Sequence, residues 1–461
     1  MKSQINVVIL AAGLGTRMKS KRAKVLHRAG GLSLIEHVVQ ASRAITSSDL
    51  VTVVVGHQGG QVRQLLEPSC VRFVEQTEQK GTGHALLACR ESLASEPGLV
   101  VVLYGDCPLL SAATLSELIH RQSSGNSAAT LITTRLDDPT GYGRIIFGEP
   151  GQVRGIVEHK DATPEQRAIP FINSGIYCFQ ADLLWRYLLE IRPDNPAHEY
   201  YLTDIVEILN RAGHGVAAME VENPAELLGI NTRVELAEVD RIFRQRKVRE
   251  LMLAGVTIEK PETVTIDAHV RIGPDSIVEP FAQILGNTEI GEESRIGACS
   301  IIQDATLAAG VEIAPFTHIV NSRIETGAHI GPFARLRGNA RVGANARIGN
   351  FVELKNTRFG TAAKANHLAY LGDAEIGDNT NIGAGTITCN YDGASKHPTK
   401  IGKDTFVGSN STLVAPLEIG DGSYIGAGSV ITDAVPAEAL ALGRARQVIK
   451  EGWAAKRKKK K

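Results

Sequence analysis

The chain has 461 residues, and its 50 Lys and Arg residues balance its 50 Asp and Glu residues. A chain longer than about 300 residues exceeds what one hydrophobic core supports, which indicates more than one domain. A formal net charge of zero argues against nucleic acid or an anionic membrane as the main partner.

The composition also indicates the cellular compartment. Six cysteines are scattered without a C-x-x-C pair, which favours reduced thiols in a cytoplasmic protein over disulfides or a zinc site. No stretch reaches the ~20 apolar residues of a membrane span. The short apolar run near the N-terminus reads as a strand rather than a signal peptide. The basic run over residues 456–461 predicts a solvated, disordered tail.

Residues 1 to about 230 alternate strand-like and helix-like segments, which predicts a Rossmann-like α/β domain with a mainly parallel sheet. Ser33 and Glu36 form a capping box that marks the start of a helix. In such sheets ligands bind at the carboxyl ends of the strands. Strands are predicted over 5–10, 51–55, 70–75 and 99–106, and further helices over 58–67 and 81–95.

The stretch VVILAAGLGTRM, residues 7–18, reads as a buried strand that runs into a glycine-rich loop. Small residues from Ala11 to Gly15 allow close approach of a ligand, and Arg17 with Lys24 supplies cations. This combination suits a polyphosphate, although a plain strand-to-helix turn with a solvated basic face explains the same residues. The stretch matches neither the G-x-G-x-x-G fingerprint nor the Walker pattern.

Asp106 lies at the carboxyl end of the predicted strand 99–106, where Tyr104, Gly105 and Asp106 follow the apolar run VVVL. A carboxylate there, beside a phosphate loop, suits Mg²⁺, which prefers hard oxygen ligands shared with phosphates. The alternative, a cap of the next helix, is better filled by Ser111. Three further polar clusters lie at 76–83, at 141–144 and, at strand edges, at 158–160 with 173–175; each alone fits an ordinary loop better than a site.

Taken together, the motifs LAAGLGTRM, QTEQKGTGHA, LYGDCPL, DDPTGYGRI, IVEHKDAT, INSGIY and GINTR resemble the sugar-nucleotide pyrophosphorylases, most closely those that make UDP-N-acetylglucosamine. The resemblance implies UTP as co-substrate, with Arg17 and Lys24 contacting its phosphates and Asp106 and Asn231 binding Mg²⁺. Ala23 and Ser174 depart mildly from the family pattern. The resemblance further implies that UTP and the nucleotide sugar are bound by Leu10, Ala11, Gly13, Gln76, Gly81, Thr82, Tyr104, Gly141, Glu158 and Asn173.

Residues 233–254 read as one long helix that ends at Gly255, and we expect a domain-linking arm rather than a core helix. The expected boundaries are therefore 1–230 for the first domain, 231–255 for the linker and 256–461 for the second domain.

From about residue 264 to 434 aliphatic residues recur every six positions, which helices do not do and a solenoid of short strands does. We predict roughly nine coils of three hexapeptides each. The pattern is similar to the hexapeptide family, which implies a left-handed parallel β-helix and a homotrimer. One unbroken series comprises Ile324, Ile330, Leu336, Val342, Ile348 and Leu354.

The clearest break in the period is CNYDGASKHP, residues 389–398, and polar residues such as His367 precede it. Insertions in solenoids often serve binding. The motifs PFARLR, GNFVELKN, NHLAYLGD, NIGAGTITCNYDG, FVGSN and IGAGS are similar to the glucosamine-1-phosphate N-acetyltransferases, although GRARQ at 443–447 departs from the usual pattern around Arg444. The resemblance implies that His367 is the general base. It also implies that the sugar phosphate is bound by Arg337, Lys355, Tyr370, Asn381 and Lys396. Acetyl-CoA would be bound by Ala384, Asn390, Tyr391, Ser409, Ala427 and Arg444.

Together the two resemblances imply a cytoplasmic enzyme with two sites. The solenoid acetylates glucosamine-1-phosphate, and the α/β domain then joins the product to UTP for peptidoglycan and lipopolysaccharide precursors. One alternative is a pyrophosphorylase whose solenoid is regulatory. Another is a scaffold protein whose solenoid only trimerises, against which the phosphate loop and Asp106 argue.

Overall fold

The computed structural model describes residues 4–56, 58–149 and 151–458. The chain divides into two compact units between Phe243 and Arg244, inside a helix that spans Arg233–Leu253. The first unit is an α/β fold and the second a solenoid of stacked parallel strands, as the sequence predicted. Within the described residues no helix is long and apolar enough to cross a membrane.

The elements of the first unit are β1 (Ile5–Leu10), β2 (Arg28–Ala29), β3 (Leu32–Ser33), α1 (Leu34–Arg43), β4 (Val51–Val55), α2 (Gly59–Leu66), β5 (Arg72–Glu75), α3 (Thr82–Leu87), α4 (Arg90–Leu93), β6 (Leu99–Tyr104), α5 (Ala112–Ser124), β7 (Ala129–Arg135), β8 (Gly143–Phe147), β9 (Val153–Val157), α6 (Pro164–Arg167), β10 (Phe171–Gln180), α7 (Ala181–Tyr187), α8 (Ile205–Arg211), β11 (Val216–Glu220) and the first part of α9 (Arg233–Leu253). Its sheet has the strand order β11-β7-β10-β6-β1-β4-β5, and β8 and β9 extend it beside β10. The strand pairs around β1 are parallel, whereas β10 runs antiparallel to β6 and β7.

Local sequence signals explain where the helices begin. The Ser33–Glu36 capping box is formed, and the Ser111 hydroxyl caps α5 as expected. The predicted single helix over 81–95 was wrong, because the Cys89 amide donates to the Leu86 carbonyl three residues back and the segment splits into α3 and α4.

Strand β1 lies between β4 and β6, and the order of strands along the chain reverses at β1. Such a reversal opens a crevice at the carboxyl ends of the strands. The Ala11 amide donates to the Val54 carbonyl (2.9 Å) and the Gly105 amide to the Leu10 carbonyl (3.0 Å). The glycine-rich loop after β1 is therefore anchored in this crevice.

The second unit is a triangular stack of 11-, 10- and 9-stranded parallel sheets, which matches the expected left-handed parallel β-helix. This amounts to nine complete coils and a partial tenth and eleventh, so the stack begins before and ends after the predicted range of 264–434. The first face comprises Thr257–Ile258, Ile277–Val278, Arg295–Ile296, Glu312–Ile313, His329–Ile330, Arg347–Asn350, Lys364–His367, Asn381–Ile382, Phe406–Val407, Tyr424–Ile425 and Leu440–Ala441. The second comprises Thr265–Ile266, Gln283–Leu285, Ile301–Gln303, His318–Val320, Arg335–Arg337, Glu353–Lys355, Tyr370–Gly372, Ile387–Cys389, Thr412–Val414 and Val430–Ile431. The third comprises Arg271–Ile272, Glu289–Ile290, Thr306–Leu307, Arg323–Ile324, Arg341–Val342, Arg358–Phe359, Ala374–Ile376, Thr399–Ile401 and Leu417–Ile419.

The aliphatic residues that repeat every six positions fill the interior of the stack, where Leu336 and Leu354 are fully buried. The corner between the first and second faces is here called the first edge, the corner between the second and third faces the second edge, and the corner that returns to the first face the third edge. Many edge residues have positive φ, for example Phe351 (56°) and Asp373 (48°), because the backbone turns sharply there.

The basic C-terminal run differs from its prediction. Trp453–Lys458 forms an exposed helix, α10, in which the Arg457 guanidinium lies 4.8 Å from the Trp453 ring centroid. The expectation of a disordered tail was therefore wrong for residues 456–458, and residues 459–461 lie outside the described part of the chain.

Candidate active sites

The glycine-rich loop brings the two predicted phosphate-binding cations to the crevice. Gly15 has a φ of +60°, and a Cβ there would lie 2.6 Å from the Cβ of Lys24. Only glycine permits this approach between the loop and the short helical turn Lys24–Leu26. The loop and Lys24 therefore form one surface.

The Lys24 ammonium is held by two oxygen atoms from distant parts of the chain. It forms an ion pair with Asp106 and donates a 3.2 Å hydrogen bond to the Asn231 Oδ1, which also accepts from Arg17 (2.8 Å). The Ile230 amide donates to the Asp106 carbonyl (3.0 Å) and fixes the two loops together. The side chains of Lys24 and Asp106 are each only 15% exposed, so this charge cluster is partly shielded from water.

A second cluster lies where β5 ends. The buried Gln76 amide donates to the Gly81 carbonyl (3.2 Å), and Gly81 adopts a φ of +102° against the backbone of Tyr200. Gln79 donates to the Ala12 carbonyl (2.8 Å), which joins this segment to the glycine-rich loop. An open cavity of about 540 Å³ is lined by residues from the loops that follow β1, β4 and β5, including Leu14, Gly56 and Gln76.

The third cluster surrounds a bulge in β10. Pairing with β7 shifts register between Asn173 and Tyr177, so Asn173 lies inside a strand rather than at its edge. The Asn173 Oδ1 accepts from the Tyr177 hydroxyl (3.1 Å) and from the Gly175 amide (3.1 Å). Gly175 has a φ of +78°, and a Cβ there would meet the Tyr104 ring at 2.4 Å. The Tyr104 hydroxyl in turn contacts Thr82.

Glu158, at the end of β9, faces a cluster of carboxylates. Burial first, and then the charges of Asp161 and Asp204, raise the pKa of Glu158. Burial likewise raises the pKa of Asp204 to about 6, with Glu207 and Asp161 adding to the effect. This end of the crevice therefore resists further negative charge and suits the uncharged hydroxyl groups of a sugar. Gly141 lies in the turn before β8 with a φ of +90°.

In the solenoid, the cationic side chains predicted to bind the sugar phosphate lie at the second edge. The Lys355 Nζ lies 3.5 Å from the Asp373 Oδ2, and the same oxygen accepts from Asn390 at 2.5 Å. The side chains of Lys355 and Lys396 are neighbours, and their interaction raises the pKa of Lys355 and lowers that of Lys396. Arg337, one coil earlier, forms an ion pair with Glu353 (2.6 Å).

His367 lies at the first edge and is exposed. Its Nδ1 is 2.7 Å from the Oδ1 of Asn350, which occupies the matching position one coil earlier. Because an amide oxygen only accepts hydrogen bonds, Nδ1 carries the hydrogen, and the lone pair of neutral imidazole is on Nε2. Asn350 therefore fixes the tautomer that makes Nε2 a base.

Four of the six predicted acetyl-CoA residues follow His367 along the same edge. The Asn410 amide donates to the Ala384 carbonyl (2.7 Å), the Gly428 amide to the Ser409 carbonyl (2.8 Å), and the Arg444 guanidinium to the Ala427 carbonyl (2.9 Å). Ala384, Ser409 and Ala427 are thus equivalent edge positions of successive coils. Arg444 extends this row despite the altered residues around it.

The remaining predicted residues occupy positions between these edges. Tyr370 begins a second-face strand, and its hydroxyl would lie 2.5 Å from a Cβ at Gly372, beside Asn390. Asn381 lies on the first face in register with Lys364. Tyr391 is in the inserted loop, where its hydroxyl donates to the Gly393 carbonyl (2.6 Å).

Sequence reasoning missed four residues that organise these clusters: Asn350, Asp373, Gln79 and Tyr200. Asn350 and Asp373 sit in the motifs GNFVELKN and NHLAYLGD, so their location was visible but their partners were not. Gln79 likewise lies in the motif QTEQKGTGHA, but the sequence does not indicate its side-chain bond to the Ala12 carbonyl or the backbone contacts of Tyr200 with Lys80 and Gly83.

Comparison with known proteins is consistent with this two-part organisation. Residues 7–165 match the MobA-like NTP transferase domain, and residues 269–304, 321–356 and 398–433 match the bacterial transferase hexapeptide repeat. The bifunctional protein GlmU of Solibacter usitatus is 59% identical over 459 residues, with 100% of this chain and 98% of the relative covered. The chain belongs to the GlmU family. GlmU proteins of Koribacter versatilis and Trichormus variabilis are each 48% identical, covering 98% and 97% of this chain and 97% and 98% of the relatives.

As a GlmU-family member, the protein is a bifunctional enzyme with a nucleotidyltransferase domain and a hexapeptide-repeat acyltransferase domain. The predicted family and enzyme class are therefore confirmed.

Proposed function

We propose that the two units carry out successive steps in the synthesis of UDP-N-acetylglucosamine. The solenoid acetylates glucosamine-1-phosphate with acetyl-CoA. The α/β unit then transfers the uridylyl group of UTP to N-acetylglucosamine-1-phosphate and releases pyrophosphate. The boundaries we assign are 1–230 for uridylyl transfer, 231–255 for the linker helix and 256–461 for acetyl transfer.

One observation supports the acetyl-transfer site above all. His367 lies at the same edge of the solenoid as the row of proposed acetyl-CoA residues Ala384, Ser409 and Ala427. An acetyl thioester bound along this row lies beside a base whose Nε2 carries a lone pair. The amine nitrogen attacks the thioester carbonyl, His367 takes the amine proton, and the carbon–sulfur bond breaks as coenzyme A leaves. Lys355 and Lys396 at the second edge bind the phosphate, with Arg337, Tyr370 and Asn381 around the sugar.

In the α/β unit no protein base is required, because the attacking sugar-phosphate oxygen is already an anion. Arg17 and Lys24 neutralise the phosphates and align the reacting groups. Gln76, Gly81 and Thr82 bind the uracil end, and Gly141, Glu158 and Asn173 hold the acetylated sugar. Leu10, Ala11, Gly13 and Tyr104 complete the wall of the crevice.

Asp106 and Asn231 would hold Mg²⁺. The donor set fits, because one carboxylate and one amide oxygen already converge on the Lys24 cation and magnesium prefers hard oxygen ligands. When bound, magnesium neutralises charge on the substrate phosphates.

We further propose a cytoplasmic homotrimer formed through the solenoid. The six cysteines are all free thiols, as the reducing cytoplasm favours. The first edge carries an exposed apolar row in which the Phe316, Phe333 and Phe351 rings stack at 5.1 and 5.3 Å. Such a continuous row is typical of a protein–protein contact.

The test of the trimer is the molar mass in solution, which should be three times the 49.4 kDa of one chain. The double substitution Phe333→Ser and Phe351→Ser should lower this measured mass.

The direct test of both activities uses purified protein with acetyl-CoA, UTP, Mg²⁺ and either glucosamine-1-phosphate or its N-acetylated form. Both sugar phosphates should yield UDP-N-acetylglucosamine, and coenzyme A should appear only with glucosamine-1-phosphate. A protein with a regulatory solenoid would use only the N-acetylated form. A scaffold would use neither.

A further inference from the structure

We propose that Asp373 is a positioning residue of the acetyl-transfer site, which holds the phosphate-binding Lys355 and the acyl-donor residue Asn390 in one arrangement. This inference rests on the proposed roles of those two residues. Nothing in the sequence patterns or the family comparison assigns a role to Asp373.

The first observation is where Asp373 lies. It occupies the second edge with a φ of +48°, and its amide donates to the Lys355 carbonyl of the preceding coil (2.9 Å). Its side chain is 16% exposed. The carboxylate is thus set by the turn of the coil, next to the start of the inserted loop at 389–398.

The second observation is what its carboxylate contacts. It accepts from the Asn356 amide at 2.7 Å and the Asn390 amide at 2.5 Å, and it lies 3.5 Å from the Lys355 ammonium. All three of these partners are side chains, and two of them are proposed to contact different substrates. One carboxylate therefore connects the sugar-phosphate end of the site with the acyl-donor end.

Other acidic residues at this edge behave differently. The Asp267 carboxylate accepts from the Gly286 amide (2.9 Å), and the Asp304 carboxylate accepts from the Asn287 amide (3.0 Å). Both carboxylates accept from the backbone of an adjacent coil, which is a structural task, and their side-chain partners, Arg244 and Gln303, are not proposed site residues. At Asp373 all three contacts go to side chains, and two of these, Lys355 and Asn390, belong to the proposed site.

Charge supplies the third observation. The side chains of Lys355 and Lys396 are neighbours, so the two groups repel each other when both are protonated. Although burial raises the pKa of Asp373, hydrogen bonds from Asn356 and Asn390 and the charge of Lys355 outweigh it and lower that pKa. The carboxylate is therefore ionised, and it offsets the repulsion between the lysines before a phosphate arrives.

The test is Asp373→Asn, which keeps a side chain that tolerates positive φ but removes the charge. We expect KM to rise about tenfold for both glucosamine-1-phosphate and acetyl-CoA, because charge-assisted contacts to both ends are lost. Turnover should fall less than threefold, and uridylyl transfer should not change. Without the carboxylate the lysines lose protons more easily, so the alkaline rise in KM for the sugar phosphate should begin at lower pH.

The matched control is Asp404→Asn. Asp404 also sits at an edge with positive φ (55°), and it also accepts from an asparagine of the preceding coil, Asn379, at 3.1 Å. Asp404 lies at the third edge, and neither it nor Asn379 is a proposed site residue. Both KM values should stay within twofold of those of the unmodified protein.

Suppose that the unmodified protein acetylates glucosamine-1-phosphate. Unchanged KM values and an unchanged pH profile in Asp373→Asn would then overturn the inference. If the unmodified protein does not acetylate at all, the proposed function fails, and this inference fails with it. If Asp373→Asn unfolds the solenoid, Asn356→Ala carries the same test, because it removes one of the three partners. A raised KM for glucosamine-1-phosphate in that variant supports the positioning role, and an unaltered KM refutes it.

Discussion

The two units build their sites from different kinds of backbone. In the α/β unit the candidate site residues come from loops far apart in sequence, such as those of Lys24, Asp106 and Asn231, which meet at the ends of strands. In the solenoid, residues such as Asn350, His367 and Ala384 recur at equivalent edge positions of successive coils. A crevice assembled from loops surrounds its ligand. An edge of the solenoid instead presents equivalent residues in a row, which suits an extended molecule such as acetyl-CoA.

This contrast predicts that each activity can be removed without the other. The largest effect is expected for Asp106→Ala, which takes away the proposed metal ligand and leaves Lys24 without its ion pair. Uridylyl transfer should fall at least about 10³-fold, while acetyl transfer stays normal, measured as pyrophosphate and coenzyme A release. Asp137→Ala, an exposed carboxylate that follows β7, is the control and should have little effect. Near-normal uridylyl transfer in Asp106→Ala would exclude the metal assignment.

The reciprocal variant is His367→Ala. Loss of a general base typically lowers a rate by about 10²–10⁴-fold, and we expect acetyl transfer to fall within this range while uridylyl transfer is retained. His329→Ala provides the control, since His329 lies on the same face two coils earlier, where it pairs with Glu312 (2.9 Å). Equal loss of both activities in His367→Ala would contradict independent sites.

Core truncations sharpen the comparison further. Leu103 in the first unit and Leu354 in the solenoid are both fully buried. Leucine-to-alanine changes at such positions cost about 2–5 kcal/mol of unfolding free energy. We expect Leu103→Ala to lower only the urea concentration at which half of the uridylyl-transfer activity is lost. Leu354→Ala should lower only the corresponding midpoint for acetyl transfer. A shift of both midpoints by one substitution would show that the units unfold together.

The smallest expected effect concerns pH. The folded pKa of Asp204 is about 6, above its ordinary value of 3.8, so the folded state binds more protons between these values. Stability of the first unit should therefore decline as pH rises from about 4 to about 6. Asp204→Asn should flatten that part of the urea-midpoint profile. In Asp138, hydrogen bonds with Thr140 lower the pKa, so Asp138→Asn should not flatten this decline.

Much of the fold could be predicted, because both patterns are local and periodic. Buried strands in alternation with helices, the Ser33 cap and the six-residue period all report on neighbours near in sequence. For the sites, the sequence placed Asp106 at a strand end and His367 before an insertion, and the structure brings Asp106 into contact with Lys24. The roles of these residues stay predictions.

What could not be predicted depends on register and long-range packing. The bond between His367 and Asn350 exists because residues 17 apart occupy matching positions of adjacent coils, and coil length varies along the chain. The break at Cys89 and the helix at Trp453 follow from local hydrogen bonding that composition does not reveal. Likewise, the contact of Asp373 with Asn390 joins residues that are 17 positions apart on adjacent coils.

The long helix has a consequence for where the gene could be cut to express each half alone. Within the first unit, the Phe243 ring stacks on His37 at 3.9 Å, Asp240 accepts from the Gly30 amide (2.8 Å), and Val239 is buried. An expression fragment that stops at residue 230 discards all three contacts and exposes the apolar surface they cover. A fragment that extends through Phe243 retains them, and it should give the higher soluble yield.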